Sequence, residues 1–240
     1  VAWKVAATLL FPPQQVAIPI TTTFPAETAE PISPIPESIS LDARKVALGK
    51  RLFHDTRLSK DNSVACASCH VLSKGGVDGL QRSVGIRSQE ADINAPTVFN
   101  SGFNFKQFWN GRAASLEDQI DGPTHHPKEM GSSWPEIIAK LSQDKDYASE
   151  FAKIYSNNIR PDLIKDAIAT FERSLITPNS SFDRYLKGDR NALSGEEIKG
   201  YHKFKSYGCI ACHQGVNVGG NMYERLGIMA QELESAGLGH

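Results

Sequence analysis

The chain has 240 residues, with 26 Lys and Arg against 27 Asp and Glu, a formal charge of −1 and 40% hydrophobic residues. That is enough apolar material for one large or two small domains. The balanced charge gives no global basic field to attract nucleic acid or an anionic membrane, and no apolar run is long enough to cross a bilayer as a helix.

At the N-terminus, "VAWKVAATLLF" joins one Lys to an apolar run, as part of a secretory signal does, before "PPQQ" interrupts it. The Pro-, Ser- and Thr-rich "FPAETAEPISPIPESIS" follows. Residues 1–38 are therefore expected to be an export and linker segment, poorly ordered and outside the core; an ordinary disordered tail is the plainer alternative. "ALGKRLF" then reads as a helix ending at Phe53, followed by "CASCH" at residues 66–70 and by paired glycines.

Further along, "SWPEIIAKLSQD" opens a helix with Pro135 in its first turn. "RPDLIKDAIATFERSL" places Leu163, Ile164, Ala167, Ile168, Phe171 and Leu175 at helical spacing behind Pro161. "LSGEEIKGYHKF" carries Ser194 with Glu197 three residues on, a capping box, and ends at Phe204. "CIACH" at residues 209–213 and paired glycines follow. Both copies have a glycine four residues before the Phe, Gly49 and Gly200. No alternating hairpin pattern competes. The expected fold is mostly α, two related cytochrome c-like haem domains with long loops, at residues 39–175 and 176–240.

The two Cys-x-x-Cys-His motifs use all four cysteines of the chain. Redox dithiols of the thioredoxin type and a Cys₄ zinc site are two readings, though zinc knuckles usually lie much closer together in sequence. The third is covalent haem: two thioether bonds to the porphyrin vinyl groups, with the next His as an axial iron ligand. Two copies that consume every cysteine favour two covalently bound c-type haems, on Cys66, Cys69 and His70 and on Cys209, Cys212 and His213. Such attachment needs export as an unfolded chain, which fits a periplasmic location and the signal-like start.

Between the motifs, "NAPTVFNSGFNFKQFWNGRAASLEDQIDGPTHHPKEMG" has turn signals and the aromatics Phe103, Phe105, Phe108 and Trp109. Alone it could be core filling under a loop. With "LFHDTRLSKDNSVACASCH", its segments "NAPTVFN", "FWNGRA", "EDQIDGP" and "KEMG" resemble the bacterial dihaem cytochrome c peroxidase family, which includes the MauG-type enzymes. The resemblance covers about residues 32–229. It implies a low-potential peroxidatic haem on the first motif and a high-potential electron-entry haem on the second. It also implies that Trp109 lies between the haems, that Gln119 and Glu129 form the distal polar pair, that Phe108 is a pocket aromatic and that Asn94 is a calcium ligand. A carboxylate such as Glu129 can move a proton between the two oxygens of hydrogen peroxide, and an amide such as Gln119 can orient it. The implied reaction is reduction of hydrogen peroxide to water with electrons from a small cytochrome c or a cupredoxin. A homodimer is a further implication. A MauG-like oxidase of a protein substrate and a non-enzymatic dihaem carrier or sensor are the alternatives, the last disfavoured by retention of Gln119 and Glu129.

The chain departs from the family pattern at several points. Many members carry a second His that caps the peroxidatic iron; the matching position is Ile86, and no His occurs between residues 71 and 124. The first haem site is therefore expected to be open without reductive activation, with His125 and His126 as loop residues rather than substitutes. The chain stops sooner after its second motif than the family does, so a truncation is expected, with the second distal ligand missing or substituted; Met222, Met229 and His240 are weak substitutes. Asn110 stands where the family has Asp beside Arg112. His54 and His202 are read as structural or exposed, and Met130 as pocket packing.

Overall fold

The computed structural model describes residues 30–219, 221 and 222. From Pro31 onward the described residues form one compact unit holding two apolar clusters. Its helices are α1 (Ala43–Phe53), α2 (Cys66–Cys69), α3 (Leu116–His125), α4 (Trp134–Ser142), α5 (Lys145–Tyr155), α6 (Pro161–Ser174), α7 (Ser181–Leu186) and α8 (Gly195–Ser206). Among the described residues the extended pairings are isolated bridges. The mostly α expectation is met.

The first cluster is built on α1 crossing α6. Asp42 caps α1 by accepting the Arg44 N–H, and the helix buries Leu48, Gly49, Leu52 and Phe53. Pro161 opens α6 at its first turn, where its missing N–H costs no hydrogen bond, and the expected stripe buries Ile164, Ala167, Ile168 and Phe171. The two backbones nearly touch: a Cβ on Gly49 would collide with the Ala167 carbonyl. One turn on, Phe53 and Phe171 meet edge to face, centroids 5.2 Å apart. Each buried Leu, Ile or Phe contributes roughly 1.5–3 kcal/mol, so this crossing is the principal apolar anchor of the first haem motif. Helices α4 and α5 cover it with Ile137, Leu141, Tyr147 and Phe151.

The longer insert between Phe53 and the first motif is tied down rather than loose. Arg57 pairs with both Asp55 and Asp144, Tyr147 donates its hydroxyl to Asp55 (2.8 Å), and Lys140 Nζ caps the Ser59 and Lys60 carbonyls.

The second cluster gathers Ile32, Tyr185 and Tyr201 with Phe182, Leu193, Ile198 and Phe204. The Ser194–Glu197 capping box of α8 forms as expected, with both reciprocal bonds present. The N-terminal segment departs from expectation. Ile32 is 4% exposed, and its strand-like stretch pairs with the second motif's loop through Gly215 N–H to Pro31 O and Ser33 N–H to Gly215 O. Ile35 N–H donates to Asp183, which also accepts from Ser180. Residues 31–37 are thus a strap over the second cluster, not a linker outside the core. The reason is backbone pairing with a segment distant in the same chain, which a Pro-rich composition conceals. Residues 1–29 lie outside the described residues.

Candidate haem sites and peroxide pocket

Both Cys-x-x-Cys-His motifs fold into one short helical turn. His70 N–H donates to Cys66 O and His213 N–H to Cys209 O, each at 2.9 Å. The following loops close alike, Gly76 N–H to Val71 O (3.0 Å) and Gly219 N–H to Gln214 O (2.9 Å). Each loop offers a carbonyl to the imidazole: Gly76 O lies 3.3 Å from His70 Nδ1 and Val218 O lies 3.1 Å from His213 Nδ1. A backbone acceptor on Nδ1 fixes the tautomer that leaves Nε2 free for iron. Each ring also sits near a Phe in the last turn of a preceding α-helix, Phe53 of α1 at 6.4 Å and Phe204 of α8 at 6.1 Å between centroids. The repeat seen in sequence is therefore a structural repeat.

The first motif opens onto a cavity of about 160 Å³ lined by Cys66, Cys69 and His70. Apolar walls come from Leu58, Val64, Val98, Ile120, Met130 and Ile168. The thiols are unbridged. Burial pushes the Cys66 thiol up to about 12 and raises Cys69 as well. Burial also lowers His70, keeping it neutral and able to ligate. The apolar lining, paired thiols and oriented imidazole fit a covalently held haem. Among the described residues, no group of three His, Cys, Asp or Glu side chains converges as a metal site.

Helix α3 supplies one wall. Ser115 caps it by accepting the Asp118 N–H, and Gln119, Ile120, Pro123 and Thr124 all line the cavity. The opposite side of α3 is anchored by Asp121, which accepts from Trp134 Nε1 and Lys165 Nζ, both at 2.8 Å. After α3 the chain makes a tight turn in which His126 O accepts the Glu129 N–H (3.0 Å) and the Gly131 N–H (2.9 Å). Glu129 O accepts the Ile86 N–H at 2.8 Å. Gly85 fits this contact because a Cβ there would strike the Lys128 and Glu129 carbonyls. The Glu129 carboxyl is thereby held at the cavity wall. Burial raises its pKa, against the lowering influence of His126 and Arg112.

The loop Gln107–Ala113 supplies the other wall. Gln107 and Ala113 bridge each other, and Gln107 Nε2 donates to Ser101 O. Phe108 sits at φ +68, a left-handed conformation costing a non-glycine residue about 1–2 kcal/mol. Its ring lines the cavity and carries the Arg112 guanidinium 3.4 Å from its centroid.

Of the sequence-selected residues, Cys66, Cys69, His70, Phe108, Gln119 and Glu129 thus meet in one cavity, and Met130 packs in its wall as expected. Asn94 also lines it. Trp109 is absent from that lining and is 65% exposed. Ile86 is buried against Gly131 and is absent from the cavity lining. His125 packs on Trp134, and His126 faces Asp92 and Glu129. Cys212 and His213 are exposed, as is Met222; Met229 and His240 lie outside the described residues. Sequence reading missed Arg112 and Glu172. Glu172 is 6% exposed and lines the cavity with Oε2 unpartnered. Its spacing of four from Ile168 on an amphipathic helix was the available signal.

A family model for di-haem cytochrome c peroxidase matches residues 43–191. The chain is 51% identical to cytochrome c peroxidase Ccp of Escherichia coli over 86% of this chain and 44% of that protein. It is 45% identical to cytochrome c551 peroxidase of Nitrosomonas europaea (83% and 60% covered) and 36% identical to methylamine utilization protein MauG of Methylorubrum extorquens (82% and 57% covered). A crystal structure of a MauG-like protein associated with microbial copper homeostasis superposes with TM-score 0.67 at 30% identity, covering 79% of this chain and 59% of that one. The chain spans about half the length of the curated relatives it matches.

Proposed function

The chain belongs to the di-haem cytochrome c peroxidase family, and from that premise we propose that it reduces hydrogen peroxide to water at the cavity of the first motif. The carrying observation is that one cavity joins the haem-attachment residues Cys66, Cys69 and His70 to the polar pair Gln119 and Glu129. An electron carrier has no need of a proton-transfer pair inside its haem cavity.

When bound there on Cys66, Cys69 and His70, haem would supply the redox-active iron that drives cleavage of the O–O bond. Glu129 takes the proton from the inner peroxide oxygen and returns it to the outer one. Its raised pKa brings it closer to neutrality, where acid–base exchange is most efficient. Gln119 orients the substrate through its amide. Phe108, Ile120 and Met130 keep the pocket dry, which strengthens every electrostatic contact inside it. Ile86 cannot ligate iron, so the site needs no reductive activation.

The second haem would be held by Cys209, Cys212 and His213 and pass electrons onward from a small cytochrome c or a cupredoxin. The exposed Tyr207, two residues before Cys209, supports docking on that side. Trp109 would serve the path between haems. Calcium at Asn94, assembly as a homodimer and a periplasmic location belong to the same reading. It is tested on the protein carrying both haems by following peroxide-dependent oxidation of a reduced cytochrome c. Glu129→Gln should abolish turnover with haem content unchanged, and equal turnover in the variant would refute the assignment.

A further inference from the structure

Reduction of one hydrogen peroxide to two waters consumes two electrons and two protons, yet the Glu129 carboxyl carries at most one proton. In O–O cleavage Glu129 takes one proton and returns it, so the two protons consumed per turnover must enter from solvent and reach the pocket through Glu129. Resting on the peroxidase reading above, we propose that His126 is the positioning residue that relays those protons to Glu129.

The two side chains are held together by the turn that follows α3. His126 O accepts both the Glu129 and Gly131 N–H groups, which fixes the i, i+3 relation, and the Ile86 N–H pins Glu129 from the other side. As a result His126 Nδ1 lies 3.5 Å from Glu129 Oε1. The second ring nitrogen faces outward: Nε2 is 3.8 Å from Asp92 Oδ2. The His126 side chain is 35% exposed, so one edge meets solvent while the other meets the cavity carboxyl.

This arrangement gives the ring one nitrogen toward the cavity carboxyl and one toward solvent. From the Nδ1–H tautomer a proton enters at Nε2 and the Nδ1 proton leaves to Glu129, and proton exchange with solvent then returns the resulting Nε2–H ring to the Nδ1–H form. In the neutral ring with its proton on Nε2, Nδ1 accepts the Lys128 N–H at 3.4 Å. In the imidazolium, Nδ1–H has Glu129 Oε1 as its acceptor. The charges facing the ring are Glu129 on the inside and Asp92 on the outside. Arg112 faces Glu129, while Lys128 and Arg82 act on Asp92, Lys128 at 2.6 Å. His125, next in sequence, packs edge-on against Trp134 at 5.8 Å and has no such outlet.

The test uses the dihaem protein with three variants, His126→Gln, His126→Asn and Glu129→Gln. The first readout needs no turnover: the infrared carboxylic-acid band of Glu129, assigned by its loss in Glu129→Gln, is titrated against pH. Loss of the neighbouring cation in both His126 variants should move the band's midpoint to higher pH; an unmoved midpoint overturns the coupling. In the second readout, peroxide turnover in both His126 variants should fall at least about tenfold and recover with added imidazole, while the wild type ignores imidazole. Wild-type turnover in the His126 variants, or a loss that imidazole does not repair, overturns the relay. If Glu129→Gln itself turns over normally, the peroxidase reading of the cavity fails instead, and the two failures are separate results.

Discussion

The ring of Phe108 rests on Gly122, so closely that a Cβ at that glycine would fall inside van der Waals contact with Phe108 Cζ. Gly122 sits within α3, where glycine costs about 1 kcal/mol relative to alanine. The vacancy it leaves is what admits Phe108, held at positive φ by its loop, to the cavity. Gly122→Ala should therefore favour the helix yet displace Phe108 and the Arg112 stacked on it. The expected outcome is a wetter pocket, with peroxide turnover reduced and haem content retained. Turnover equal to wild type, with an unshifted haem absorbance spectrum, would count against a packing role for Phe108.

A pH-dependent stability follows from Glu172. Burial pushes its pKa up to about 8, above the unfolded value, so the folded state binds the proton more tightly. The stabilisation is fully present below the ordinary carboxylate range and is lost as pH rises through about 8. Between those limits stability should fall by up to about 1.4 kcal/mol per pH unit from this group. Glu172→Gln should flatten that slope. Urea unfolding of both proteins across the interval measures it, and parallel slopes would contradict the assignment.

The glycines of the repeat should not be equivalent. Gly49 meets the Ala167 carbonyl, whereas Gly200 meets nothing within 4 Å among the described residues. Gly49→Ala should cost about 1–3 kcal/mol by forcing α1 off α6. Gly200→Ala should be neutral or gain up to about 1 kcal/mol from helix propensity. Thermal unfolding of the two variants ranks them.

Asp183 carries the strap. Burial would raise its pKa, but bonds from Ile35 and Ser180 outweigh that and hold the carboxyl below its usual range. Its contribution is thus present above the ordinary carboxylate pKa and lost as pH falls through the depressed value. Asp183→Ala should cost about 1–3 kcal/mol, through the unsatisfied Ile35 N–H and the lost cap of α7. Hydrogen exchange at Ile35 should then rise by at least about tenfold; unchanged protection would mean the strap is held elsewhere.

What the sequence revealed and concealed divides along physical lines. Local rules were sufficient for Pro161 at a helix start, for the Ser194–Glu197 box and for the two haem motifs, because each depends on residues a few positions apart. The convergence of Phe108, Gln119 and Glu129 on Cys66 was legible only through family resemblance, since those residues come from separate loops and helices. Ile32 was misread because its burial depends on pairing with Gly215, far away in the chain. Trp109 was expected between the haems through the resemblance alone; after the strained turn at Phe108, Phe108 lines the cavity and Trp109 is exposed. Glu172 and His126 escaped because neither residue type signals burial or proton relay until its neighbours are known.

The central claim of the proposed function is a first haem site that stands open to peroxide in the oxidised protein, with Ile86 at the position matching the family's capping His. The most direct test is an electron paramagnetic resonance spectrum of the fully oxidised dihaem protein before and after hydrogen peroxide is added. The account predicts a high-spin ferric signal from the first haem that disappears with peroxide. Two low-spin haems whose spectra ignore peroxide would contradict it.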